Sequence, residues 1–253
     1  LAELLPGLGP GVISGCYTAT DGHVNPLLML RALHAGHAAN GGDYRPDSKV
    51  TAIEKGADGF RIETRAATFE TAKVVIAAGM GTAGLADGLG LKTPVAPFPC
   101  QIMVTERIQP LFDIPTNLVR QTKEGNLLLA FGDMLKEDDL WRQIGDAEGS
   151  DPDTFTRPDM SRIVAGRCRK AFPFLGDLRL VRMWSALKVI APDGFPIYDE
   201  SPSCPGAYVA TAHSGVTLAA AHAVRLPDWI AGGPLPPDLV CFRSERFNVQ
   251  EAA

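Results

Sequence analysis

Apolar and polar positions change their period along this chain, and each change marks an element. Leu27, Leu30, Leu33, His34 and His37 recur at helical spacing. Asn25-Pro26 precedes them, an N-cap residue followed by one suited to the first helical turn. Gly41-Gly42 stops the run, so the pattern predicts a helix between these two signals. Extended segments follow. Residues 49–54 and 60–65 flank Gly56-Ala57-Asp58-Gly59, a turn signal that predicts a hairpin. Residues 69–71 offer a short third strand. Val74-Val75-Ile76-Ala77-Ala78 is apolar without alternation, as expected of a strand buried on both faces.

Pro94, Pro97 and Pro99 then punctuate the chain and suggest a crossing between domains. Residues 101–131 are strand-like, with a turn at 123–126; 137–149 are acidic and polar, and 150–158 form a loop. Residues 161–172 predict an amphipathic helix with Ile163, Val164, Cys168 and Ala171 on one side. Residues 179–187 are extended. After Pro192-Asp193-Gly194 comes a strand at 207–211 and a helix at 215–225, closed by Pro227 and Gly232-Gly233.

Composition adds bounds rather than identity. The 253 residues are 45% apolar and 21% charged, enough for a buried core in one large or two interleaved domains. A net charge of −5, without a basic run, argues against a nucleic-acid partner. No apolar run approaches the ~20 residues that span a bilayer. Five dispersed cysteines without a C-x-x-C fit reduced thiols in a cytoplasmic setting, with no metal site.

Candidate chemistry begins at Gly79, Gly81 and Gly84, a G-x-G-x-x-G at the end of the apolar run 74–78. One reading is a pyrophosphate cradle, with Glu106 as the acidic residue about 20 positions on. The competing reading is a buried strand ending in a glycine turn close to a ligand. Two glycines beyond Gly81 and the early Pro94 leave room for a short helix only, which favours the second.

The wider pattern resembles a known family. Asp21-Gly22-His23-Val24-Asn25-Pro26 opens the first helix, and Val50 to Ile53 starts the hairpin. Val74 to Gly79 forms V-V-I-A-A-G, Pro192 to Pro196 forms P-D-G-x-P, and Ala207 to Leu218 closes the series as strand, turn and helix. Their order over nearly all 253 residues resembles the D-amino-acid oxidase superfamily of FAD-dependent amine oxidoreductases, with glycine oxidase, sarcosine oxidase and the β-type subunits of amino-acid and opine dehydrogenases. In that family the dinucleotide fingerprint lies in an earlier strand and helix. The resemblance therefore implies a fragment of a longer protein or a truncated homologue, the former expected.

The resemblance assigns roles. The segment around Val50 would meet the adenine, and Ala77, Ala78 and Gly79 would approach the ADP half of FAD, where small residues let the backbone come close. Gly194 joins the cofactor-binding set. His213-Ser214-Gly215-Val216-Thr217 would point its unsatisfied peptide N–H groups and helix dipole at the flavin pyrimidine edge; an ordinary Ser-capped helix is the alternative. Lys188 stands where glycine-oxidase-like relatives place a carboxylate-gripping Arg, and supplies a point charge without the fork; it could equally be a solvated surface residue. Arg120 and Arg182 are alternative carboxylate ligands. His213 would polarise flavin or substrate, or simply be a packed histidine. Met134 would line the substrate pocket or pack in the core. His34 and His37 are read as structural, and residues 189–192 lack the Cys that binds flavin covalently in some sarcosine oxidases.

The expected fold is mixed α/β. A partial, Rossmann-like FAD-binding domain (11–94 and 188–253) is interleaved with an antiparallel-sheet substrate domain (95–187). The expected reaction is oxidation of an amino acid or secondary amine, with hydride passing to flavin, imine hydrolysis, and electrons leaving to O2 or another acceptor. The protein would act alone, as a homo-oligomer or as part of a hetero-oligomeric dehydrogenase. The rival is a non-catalytic module without FAD.

Overall fold

The computed structural model describes residues 1–130 and 156–251; Met134 and the acidic stretch 137–149 lie outside the described residues. The elements are α1 (Pro26–Ala39), β1 (Val50–Lys55), β2 (Phe60–Thr64), β3 (Thr68–Thr71), β4 (Val74–Ile76), α2 (Thr82–Ala86) and β5 (Ala96–Arg107). The series continues with β6 (Val119–Gln121), β7 (Asn126–Leu129), α3 (Pro158–Ala171), β8 (Leu180–Ile190), β9 (Ile197–Glu200), β10 (Ala207–Thr211), α4 (Ala219–Arg225) and α5 (Pro227–Ala231). The chain folds as two units, Leu1–Asn25 with Pro99–Leu187 and Pro26–Phe98 with Lys188–Ala253. Residues 11–25, expected with 26–94, thus cluster with the other unit.

In the unit of 26–98 and 188–253, α1 starts at Pro26 as expected, and Gly41 beyond its end takes a left-handed φ of +80°. None of its residues is buried. The hairpin β1–β2 closes through Gly56 N–H to Gly59 C=O at 2.8 Å, and β3 adds antiparallel to β2. A side chain at Gly59 would sit 2.3 Å from the Thr71 carbonyl oxygen, which explains the glycine in the turn.

The second sheet of this unit runs β4-β10-β9, with β10 parallel to β4 and antiparallel to β9. β9 and β10 are covered on both faces. β4, expected to be buried on both, buries Val74 and Ile76 on one face and leaves Val75 40% exposed on the other, because as an edge strand it has no element packed over that face among the described residues. Val74, Ile76, Ile197, Ala207 and Val209 pack with Phe60, Ala86 and Leu89 on one side. Tyr198 and Tyr208 pack with Leu226, Trp229 and Leu239 on the other. The apolar run of β10 is the one that meets cover on both sides.

The helix after β4 is short. Gly79–Gly81 form a 3-10 turn, α2 has five residues, and Gly90 ends the region with a φ of +69°. No long helix follows Gly79, and Glu106 belongs to the other unit, where its Oε1 accepts the Arg179 N–H at 2.8 Å. The glycine run is not a dinucleotide cradle.

The unit of 1–25 and 99–187 carries the sheet β6-β7-β5-β8, with β7 antiparallel to both β5 and β6. Met160, Val164 and Cys168 of α3 recur at intervals of four and are buried with Met103, Val119, Leu127, Leu129 and Phe172. α3 begins at Pro158, three residues before the position expected, because Pro fits the first turn. Burial pushes the Cys168 thiol up to about 11. The fold is mixed α/β with antiparallel sheets, as anticipated.

Candidate functional site

Strand direction gathers most of the expected cofactor residues. Ala77, Ala78 and Gly79 follow β4, and His213 to Thr217 follow β10; the two strands are parallel neighbours, so both segments leave the same end of the sheet. β9 enters from that end, since Ile197 pairs with Thr211, and Gly194 lies just before it. Loops at the carboxyl ends of parallel strands are where ligands of such sheets bind. Val50 is not part of this cluster: it starts β1, in the separate three-stranded sheet.

The backbone at this end is left available. Gly79 and Gly194 take left-handed φ values of +55° and +78°, and a Cβ added to either would meet nothing within 4 Å. Ala77 and Ala78 are exposed. Residues 213–218 form a turn rather than the start of a helix, and α4 begins only at Ala219. Gly215, Val216 and Thr217 are poor helix formers, which accounts for the delay. No side chain caps α4, so Ser214 and Thr217 are not caps. The Leu218 N–H reaches the Ser214 C=O at 2.9 Å, while the N–H groups of Gly215, Val216 and Thr217 make no close, well-aligned hydrogen bond among the described residues. The donors expected of a helix terminus are therefore supplied by a turn, and a two-turn helix adds little dipole.

The side chains around this end form a small charged group. Lys188 is half-buried in β8, with its Nζ 4.8 Å from the centre of the Phe98 ring. The His213 Nδ1 lies 2.9 Å from Ser214 Oγ. Partial burial, and then the positive charge of Lys188, hold His213 below its ordinary pKa, so the ring is neutral near pH 7. Val95, Val189, Ala191, Phe195, Thr211 and His213 line a depression here. The Thr211 hydroxyl, 5% exposed as a residue, has no hydrogen-bond partner among the described residues. An orphaned buried hydroxyl costs about 1–3 kcal/mol, a cost that a bound ligand or water removes.

Arg120 and Arg182 lie in the other unit, Arg182 exposed and 5.2 Å from the Trp184 ring. Met134 is outside the described residues. Among the described residues no group of His, Cys, Asp and Glu could hold a metal, and no helix is long and apolar enough to cross a membrane.

Sequence reasoning passed over three residues of the unit of 26–98 and 188–253: Thr211, Arg246 and His222. Arg246 pairs with Asp193, holding that carboxyl below its ordinary range. His222 Nε2 lies 2.7 Å from the Tyr198 hydroxyl, and burial holds the imidazole below its usual pKa. Asp193 within P-D-G was the one visible signal; its partner is 53 positions away.

Glycines with open space above them, N–H groups without a close acceptor and an orphaned hydroxyl thus gather at one sheet end. Comparison with known proteins identifies the fold and the family. An opine oxidase subunit from Agrobacterium tumefaciens (strain Ach5) is 38% identical over 247 residues, covering 97% of this chain and 62% of that protein. The corresponding opine oxidase subunit of Rhizobium meliloti is 37% identical over 251 residues, covering 99% and 64%. The chain thus spans just under two thirds of the length of these relatives. Glycine oxidase from Geobacillus kaustophilus has the same fold, with a TM-score of 0.79 at 21% identity, covering 96% of this chain and 64% of that one. L-proline dehydrogenase from P. horikoshii does too, with a TM-score of 0.81 at 19% identity, covering 98% and 67%. The sequence pattern of one family, FAD dependent oxidoreductase (DAO), matches residues 1–229. The chain belongs to the FAD dependent oxidoreductase family.

Proposed function

We propose that this chain carries the flavin-facing and substrate-facing groups of an enzyme that oxidises the C–N bond of an amino acid or secondary amine. The observation that carries the reading is the convergence of Ala77 to Gly79, Gly194 and Gly215 to Thr217 at one end of one sheet, with Lys188 and His213 in the same unit. The unit of 26–98 and 188–253 is then the FAD-binding part, and the unit of 1–25 and 99–187 the substrate part.

Bound FAD supplies the hydride acceptor. Ala77, Ala78 and Gly79 offer backbone for close approach by the cofactor, and Gly194 a second such surface. The N–H groups of Gly215, Val216 and Thr217 would hold the flavin pyrimidine edge and favour negative charge there. Lys188 attracts the substrate carboxylate as a point charge. His213, neutral near pH 7, can accept a hydrogen bond without adding a second positive charge beside Lys188. Hydride transfer from a neutral amine needs no dedicated base.

Two relatives bear the name of an opine oxidase subunit, which supports a hetero-oligomer in which electrons pass to a partner or to O2. All five cysteines are free thiols, in keeping with a reducing, cytoplasmic setting.

The test is the colour and chemistry of the full-length protein. It is expected to carry flavin absorption that bleaches when an amino acid or secondary amine is added without oxygen. A colourless protein that FAD does not reconstitute overturns the reading and leaves a non-catalytic module. Lys188→Met is expected to raise KM for a carboxylate substrate by about 10- to 100-fold, the size of a charge-assisted hydrogen bond. An unchanged KM rejects that role.

A further inference from the structure

Arg246 ties together two stretches of chain that otherwise share no regular element. Its Nε and Nη2 donate to the two Asp193 carboxylate oxygens at 2.7 and 3.2 Å, a two-pronged pair. Nη2 also reaches the carbonyl oxygens of Pro196 at 2.9 Å and Phe195 at 3.4 Å. Nη1 donates to the carbonyl oxygens of Phe242 at 2.6 Å and Arg243 at 3.1 Å. The guanidinium lies 4.2 Å from the centre of the Phe247 ring. Every nitrogen of the fork is therefore used, and the side chain is only 19% exposed.

A second tie runs alongside. Asp199, 5% exposed as a residue, accepts from Arg243 Nε at 3.0 Å, from the Ser244 N–H at 3.0 Å and from the Ser244 hydroxyl. The stretch 242–246 is thereby fixed to β9 as well as to the turn before it. In that turn the Asp193 Oδ1 accepts the Phe195 N–H at 3.0 Å, and the Gly194 N–H bonds to the Ala191 carbonyl at 2.9 Å. Gly194 itself stays open, with left-handed φ and nothing within 4 Å of an added Cβ. The turn is clamped through its carboxylate and its carbonyls, while the one residue expected to face the cofactor is left clear.

We infer that Arg246 is a positioning residue for FAD: its fork on Asp193 holds the 193–196 turn in the shape that lets the Gly194 backbone approach the cofactor. The inference rests on the reading of the site given above. Lysine cannot replace this fork, because a point charge cannot span both carboxylate oxygens and the carbonyls together.

The experiment uses the full-length holoprotein with Arg246→Lys, Arg246→Gln and Asp193→Asn. FAD dissociation constants are measured by titrating apoprotein and following flavin fluorescence, together with the visible spectrum and the melting temperature of the apoprotein. For Arg246→Lys and Asp193→Asn, FAD affinity is expected to fall about tenfold, one hydrogen bond's worth. The flavin absorption band is expected to shift, and the apoprotein to melt close to wild type. A lower melting temperature with unchanged affinity and spectrum would show a purely structural clamp and overturn the inference. If Arg246→Gln does not fold, the other two variants decide. Unchanged affinity in all variants of an FAD-binding wild type overturns this inference alone. A wild type that takes up no FAD overturns the reading of the site and this inference with it.

Discussion

Two helices of 14 residues, one in each unit, meet opposite fates. α1 is rich in leucine, yet none of its residues is buried, and Leu27, Leu28, Leu30 and Leu33 are 71%, 60%, 48% and 55% exposed. α3 carries several charges, yet buries Met160, Val164 and Cys168 among the residues of β5, β6 and β7. The more apolar helix is the more exposed one. Helical spacing tells which residues share a face, but burial depends on whether another element meets that face. For α3 that element is the β6-β7-β5-β8 sheet. For α1 the described residues contain no element that covers its leucines.

The comparison makes its largest prediction at the two helix faces. Met160→Ala is expected to cost about 2–5 kcal/mol, because it empties a close-packed core. Leu33→Ala is expected to stay within about 0.5 kcal/mol in this chain. Urea unfolding of both variants reads the contrast directly, and equal losses would mean that α1 is covered after all.

Thiol chemistry sharpens the same contrast with a smaller effect. With its pKa raised to about 11, Cys168 is thiolate to about one part in a thousand at pH 8, and its sulfur is also closed off. Cys16 and Cys241 are exposed. Labelling with a thiol reagent at pH 8 is expected to modify those two at least about a hundredfold faster than Cys168. Fast labelling of Cys168 would show that the α3 core opens readily.

The second core of the other unit gives a smaller effect again. Tyr198→Phe removes the hydroxyl that meets His222 and is expected to cost about 1 kcal/mol in thermal unfolding. A loss as large as that of Met160→Ala would place a polar tie on a par with an apolar core and undo the contrast.

How much of this was legible in the sequence differs by element. The strand 207–211 matches β10 residue for residue, and the hairpin was visible because two β-rich runs flank the turn from Gly56 to Gly59. The helix expected at 215 starts four residues later, because local glycine and β-branched residues outweighed the apolar spacing of the stretch as a whole. The parallel pairing of β4 with β10 was beyond reach, since no local signal links strands separated by more than 130 residues. That pairing is also what gathers the candidate site. Family resemblance points Gly79 and the 213–217 turn at the cofactor, and topology supplies the reason that they can act together. Arg246 and His222 stayed invisible because each acquires its meaning from a partner far along the chain, Asp193 and Tyr198.

The smallest effect is a pH dependence that separates the two units. Burial lowers the folded-state pKa of His222 below its ordinary value of 6.5, and no histidine lies in the described core around α3. Between the folded and unfolded values the unfolded chain binds the extra proton, so stability rises with pH there. The contribution is complete above pH 6.5 and shrinks as pH falls through that value toward the folded pKa. A neutral imidazole also suits the contact, since its Nε2 can accept the Tyr198 hydroxyl proton. His213 is shifted in the same direction by burial and by Lys188, so His222→Gln is expected to flatten the dependence in part rather than abolish it. Melting curves of apoprotein between pH 5 and 7.5 check this, with the transition of the unit containing α4 moving and that of the unit containing α3 nearly still. Equal movement of both transitions, or an unaltered slope in His222→Gln, would show that the imidazole is not held neutral by its place against Tyr198.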